Sequence, residues 1–333
     1  MTNTTTNRTL LMAIMVAITL FGLFAAIQLP FLGALVLSVA GLPAFLILLA
    51  WGGSWFLAYS ALTVTLTGAF GTNSLLALLL PMVFVPAVSL AIALQRKFTP
   101  FQAIAAALAF ATIFSTATWM LSSSFNAGSQ AVMPVEERFV AQVAAFEKVF
   151  EELHEKGTDT ANLDLFRSNL YEIFDFFVLI IPTTILFLWH LVTIGIFYLG
   201  AMKLAGRFSI KLEPLPPFAK WRFDWNLIWL FIVGWMFYYL FGNNQQLAVS
   251  DTFMVIGANL LAISRIIYYI AGLSLLFYMF EKYNAGPIIK IGLSCLALVF
   301  TQAIIWFGII DVWADFRAPK PAIISSDDSD NDF

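Results

Sequence analysis

The sequence predicts an all-α protein, a polytopic transmembrane helix bundle of about nine spans with an external amphipathic helical hairpin. Three observations predict it. The 333 residues are 61% hydrophobic and 11% charged, with a mean hydropathy of +0.87, whereas soluble domains average about a quarter charged residues. Between Arg8 and Arg96 there is no Lys, Arg, Asp or Glu. A helix crossing hydrocarbon needs about 20 apolar residues, so that interval holds four spans with short turns and nothing else.

Gly, Pro and small polar clusters at Leu29-Pro30, Trp51-Gly52-Gly53 and Gly71 to Ser74 divide this interval, which predicts spans near 10–29, 31–51, 54–71 and 75–95. The apolar character runs through Leu49 without a short-core cleavage pattern, so the first run reads as an uncleaved span. Arg8 precedes the first span and Arg96-Lys97 follow the fourth. Four crossings return the chain to its starting side, and the excess of Lys and Arg marks that side as cytoplasmic.

A fifth span, about 101–122, leads to a water-loving segment. From Val135 to Asp175 there are ten acidic and four basic residues. Within it Phe139, Val143, Phe146, Phe150 and Leu153 recur at helical spacing, between Pro134 and Gly157. This predicts an external amphipathic helix over 135–156 and, with a second helical pattern after Gly157, an external hairpin over 123–172. The hairpin is a packed cap in one reading and a lid or docking surface in the other. A sixth span ends near Gly200.

Residues 203–224 carry Lys203, Arg207, Lys211, Lys220 and Arg222 against Glu213 and Asp224, the strongest basic bias in the chain and a cytoplasmic marker. Pro214, Pro216 and Pro217 forbid a continuous helix there. The loop separates a six-span bundle, 1–202, from a C-terminal membrane segment, 225–313. That segment contains apolar runs at 225–242, 252–280 and 286–310, giving nine crossings, or eight if one short run is re-entrant. The acidic tail, 318–333, has the composition of a disordered segment. Trp51, Trp55, Trp119, Trp189, Trp221, Trp225, Trp306 and Trp313 mostly fall near span ends, where indoles favour the headgroup zone.

Composition excludes several chemistries. Cys295 is the sole cysteine, and His154 and His190 are the sole histidines, so neither an intramolecular disulfide nor a multi-histidine metal centre is expected. No phosphate-cradling glycine loop, HExxH helix or GxSxG elbow occurs, and no nucleic-acid partner or cofactor is indicated. Asp311 and Asp315 are four residues apart and would share a helix face. A salt bridge to Arg317 or helix capping explains that pair more simply than a cation site, so the sequence reads as non-enzymatic.

The candidate ligand-binding residues are Arg265, Asn259, Gln302 and His190. Arg265 lies 13 residues after Thr252 and 15 before Phe280, which at 1.5 Å per residue is about 20 Å from either end of its span. A charge at that depth faces protein, water or a ligand and is a functional candidate by default. The bland reading locks Arg265 to backbone carbonyls or to Asp311, and makes His190 a helix-to-helix hydrogen-bonding group. The functional reading gives Arg265 an anionic substrate or headgroup.

Three stretches, PPFAKWRFDWNLIW, YYIAGLSLLFYMFEKYN and FGIIDVWADFR, resemble the YybS-like family of bacterial polytopic membrane proteins, whose function is unknown. That family is distantly similar to the S components of energy-coupling-factor vitamin transporters. The resemblance implies a bacterial plasma-membrane protein with a cytoplasmic N-terminus, a small-molecule ligand, and a coupling membrane subunit with an ATPase as partners besides the lipid bilayer. It also makes Ala13 and Ala17, an AxxxA pair in the first span, candidates for helix docking. The extra C-terminal spans and the external hairpin depart from an S component. The competing reading is a non-transporting envelope scaffold that organises partners.

Overall fold

A computed structural model describes residues 2–29, 32–70, 79–125, 183–241, 250–314 and 316–317, with Leu76 and Lys148 singly. Among these residues every regular element is helical. The external hairpin expected over 123–172 and the acidic tail from 318 onward lie almost wholly outside the described residues. In chain order the helices are α1 (Thr2–Gln28), α2 (Gly33–Trp51), α3 (Gly53–Phe70), a π turn (Leu80–Phe84) running into α4 (Val85–Gln95), α5 (Pro100–Phe125), α6 (Thr183–Phe208), α7 (Ile228–Trp235) with a π extension (Met236–Phe241), α8 (Ser250–Lys282), α9 (Pro287–Val299) and α10 (Thr301–Ala314). Four stretches, Asn7–Ala26, Pro100–Thr118, Thr183–Phe208 and Thr252–Lys282, are long and apolar enough to cross a bilayer, and the bent pair α9 and α10 makes a fifth if counted as one span. Leu35–Trp51, Leu80–Gln95 and Trp225–Leu240 are shorter apolar helices. Helix α3 carries Thr63, Thr65 and Thr67, and two of these hydroxyls return to their own helix, Thr63 to Tyr59 O and Thr65 to Ala61 O.

The chain divides into two compact units, Met1–Leu215 with Phe237–Asn259, and Pro216–Met236 with Leu260–Phe333. In the first, α2 packs against α1, α3, α4 and α6. Small residues set the spacing. Gly22 meets Ala40, Gly41 meets the Phe197 ring, and Gly200 meets Leu42, the kind of close approach that drives helix association where lipid leaves little hydrophobic incentive. These pairings run α1 antiparallel to α2 and α6 parallel to α2. The start of α1, the end of α2 and the end of α6 therefore share one end of the bundle.

Buried hydroxyls and amides supply the rest of the adhesion. Thr19 Oγ1 donates to Ala40 O at 2.7 Å, and Tyr59 Oη lies 2.6 Å from Thr19 Oγ1. A hydroxyl has one proton, so Tyr59 donates to Thr19. Ser38 and Thr193 hydroxyls are 2.7 Å apart. Pro86 leaves the Pro81 carbonyl without its helical donor, because Pro has no N–H and Val85 N has turned to Leu80 O in the π turn. Ser115 Oγ supplies the missing donor at 3.3 Å.

In the second unit α7 runs antiparallel to the latter part of α8, with Gly234 against Leu260 and Leu261 and Ile228 in a cluster with Tyr268 and Ile305. After Lys282 the chain turns through Asn284, whose φ of +47° suits the left-handed region that Asn tolerates. Pro287 then opens α9 at a position where a missing N–H costs nothing. Helix α9 runs back along α8, since Lys290, Ser294 and Leu298 share a cleft with Phe280, Phe277 and Leu273. The expected span over 286–310 is not straight: α9 and α10 meet at 101° across Phe300. Helix α10 then crosses α8 so closely that a Cβ on Gly308 would overlap Tyr268 O, and one on Gly272 would overlap Ile304 O. It ends beside Ser274, where Arg317 is bonded. Both arms of this bent pair thus lie alongside the C-terminal half of α8.

Candidate functional site

The four residues singled out as candidate ligands fall into three places. His190 is fully buried on α6, and its Nε2 lies 2.9 Å from Ser115 Oγ. Because the Ser115 hydroxyl proton goes to Pro81 O, the imidazole donates from Nε2, and His190 is the second link in the repair of the α4 break. Asn259 accepts from Thr184 N at 3.1 Å and Thr184 Oγ1 at 2.9 Å, and donates to Val255 O at 2.9 Å. Thr184 is the second residue of α6, where backbone N–H groups have no intrahelical acceptor. Asn259 therefore caps α6 from a neighbouring helix. Both side chains make hydrogen bonds between helices.

Arg265 and Gln302 come together. Arg265 Nη2 donates to Gln302 Oε1 at 2.8 Å, and both side chains are exposed. Gln302 is the second residue of α10, immediately past the break at Phe300. On the other side of that break Tyr269 Oη donates to Ala297 O at 3.3 Å, serving one of the last carbonyls of α9. Phe300 N returns to Leu296 O at 2.8 Å, while Phe300 O receives Ala303 N and Ile304 N. The first N–H groups of α10 are left at the tip of the bend beside the guanidinium, a favourable setting for negative charge. The Arg265 partner is thus an amide and not Asp311.

Asp311 belongs to a second polar centre. Arg317 is buried, and its Nη2 donates to Asp311 Oδ2 at 2.8 Å. Its Nη1 donates to Ala219 O and Trp221 O at 2.9 Å each and to Ser274 Oγ at 3.0 Å, and its guanidinium stands 5.7 Å from the centre of the Tyr278 ring. Ser274 in turn donates to Phe218 O at 2.7 Å. The salt bridge expected for Asp311 is present, and Asp315 lies outside the described residues. Sequence reasoning did not anticipate that Arg317 would be a hub. Its signal was the placement of Arg317, Ser274 and Ala219 in the three stretches PPFAKWRFDWNLIW, YYIAGLSLLFYMFEKYN and FGIIDVWADFR, which meet here. Ala13 and Ala17 both lie on the exposed face of α1.

Residues 13–312 match the family described as "Predicted membrane protein (DUF2232)". The chain belongs to that family. No curated protein and no solved structure matches it. The match begins in α1 and ends in α10, so the part of this DUF2232 member that resembles its family includes Arg265, Gln302 and Asp311. It is a helical, multi-pass membrane protein.

Proposed function

We propose that this protein is a membrane-embedded binding or transport component whose small-molecule ligand carries an anionic group, received by Arg265 and Gln302 at the tip of the α9–α10 bend. The observation that carries the reading is an exposed guanidinium at mid-span depth, bonded only to a neutral amide among the described residues and set against the open N-terminus of a half-helix. A cation at that depth costs at least about 2.5 kcal/mol on insertion scales, and an anion would offset that cost. Broken helices at membrane depth recur where backbone lines a ligand path.

Two features extend the proposal. Helices α9 and α10 have 13 and 14 residues, about 20 Å each, short of the roughly 30 Å hydrocarbon core. We read them as a re-entrant hairpin, which gives eight crossings and returns the C-terminus to the side of the basic loop, cytoplasmic by its charge, in a bacterial plasma membrane. With no nucleotide motif, active transport would need a partner ATPase and a coupling subunit, for which the exposed Ala13 and Ala17 are docking candidates, as the resemblance to S components implies. The role is non-enzymatic. Native mass spectrometry of the purified protein should reveal an anionic small molecule that Arg265→Leu no longer retains, with insertion intact. Equal retention by that variant, or no ligand in the wild type alongside a stable protein partner, would favour the scaffold reading.

A further inference from the structure

A second charged feature lies within the first unit. The start of α1, the end of α2 and the end of α6 enclose a cleft of about 360 Å³ whose lining includes Asn7, Arg8, Trp51, Arg207, Phe208 and Ser209. The elements explain the arrangement. Gly52, with a φ of +87°, stops α2 at Trp51, and Ser209, with a φ of +54°, stops α6 at Phe208. The two helix ends are joined by Trp51 against Phe208, with ring centres 6.3 Å apart, and Trp51 is braced by Trp55 at 5.7 Å. Antiparallel packing of α1 on α2 then brings Arg8 to the same end.

The electrostatics are one-sided. No acidic residue lines the cleft, and neither arginine has an ion-pair partner among the described residues. Arg207 complements the C-terminal dipole of α6, but that dipole amounts to about half a charge, leaving a net positive cleft. Its volume falls in the range of small-molecule sites, roughly 300–1,000 Å³. It sits where the apolar helices end, beside an indole of the kind that marks the headgroup layer. Guanidinium groups bind phosphate oxygens bidentately, and basic pockets between helix ends are a known setting for lipid headgroups.

We propose that this cleft seats the phosphate of an anionic phospholipid headgroup, with Arg8 and Arg207 as its ligands and Trp51 and Phe208 against the glycerol. The site is independent of the ligand reading at Arg265. It is tested on the full-length protein by native mass spectrometry, titrating phosphatidylglycerol against phosphatidylcholine of identical acyl chains. The wild type should retain phosphatidylglycerol preferentially. At about 1 kcal/mol per arginine, Arg8→Gln with Arg207→Gln should weaken that retention about 30-fold, with phosphatidylcholine unaffected. Arg8→Lys with Arg207→Lys preserves the charge that sets topology but loses the planar fork, so it should insert normally and still lose part of the preference. That pair decides the matter if the glutamine pair fails to insert. An undiminished preference in the inserted glutamine pair or in the lysine pair would overturn the proposal, as would displacement of the lipid by millimolar inorganic phosphate.

Discussion

Arg317 Nη2 and Asp311 Oδ2 stand 2.8 Å apart at the end of α10, both almost fully buried, and the same guanidinium holds the carbonyls of Ala219 and Trp221. The pair fastens the loop before α7 to α8 and α10. Removing one partner of a buried pair costs about 3–5 kcal/mol because it strands the other charge. Arg317→Met should therefore lower the thermal transition of the detergent-solubilised protein markedly. Arg317→Lys should recover only part, since one ammonium cannot reproduce donors set in a fork. A melting temperature unchanged in Arg317→Met would show that the hub is not a stabilising contact.

The re-entrant reading of α9 and α10 places the residues after Arg317 on the same side of the membrane as Lys220. In a Cys295→Ala background, a cysteine at Lys220 and one at Ser329 should share the same response to an impermeant thiol reagent in intact cells, both protected if the basic loop is cytoplasmic. Labelling of Ser329→Cys alone would make α9 and α10 a single broken span and restore nine crossings.

Gly308 and Gly272 allow α10 to lie backbone against backbone on α8. Gly308→Val would force its side chain into the Tyr268 carbonyl, which cannot yield without moving the helix. The expected outcome is a loss of about 1–3 kcal/mol of stability and greater proteolysis after α8. Gly286→Ala, where a Cβ meets open space, is the matched control and should leave both unchanged.

Asn259→Leu should remove the cap from Thr184 on α6 and cost about 0.6 kcal/mol, and at most about 1.7, the range seen for hydrogen bonds between membrane helices. A double-mutant cycle with Thr184→Val measures the coupling. Additive effects would mean that the two groups do not depend on each other.

Much of the bundle was legible before any coordinates. A charge-free interval from Arg8 to Arg96 predicts apolar helix, because lipid offers unpaired backbone no partner, and the described residues of that interval are almost all helical. Arg265 was visible for a related reason, as the one charge far from both ends of its span. The depth of a residue along a helix is simple arithmetic on its sequence position.

Tertiary structure decided which polar groups meet. His190 reaches Ser115, which serves the carbonyl that Pro86 orphans, and Asn259 caps α6. Sequence spacing states which residues share a helix, but not which carbonyl a distant proline has left without a donor. The run 286–310 has the composition of a single span, and only the bend at Phe300 and the glycine contacts of α10 along α8 show that it turns through 101°. Arg317 sits just past the last apolar run, where a flanking cation would ordinarily remain in water. Its burial depends on carbonyls about a hundred residues earlier in the chain, and that pairing is a property of the packed chain, because no local pattern encodes a contact between segments so far apart.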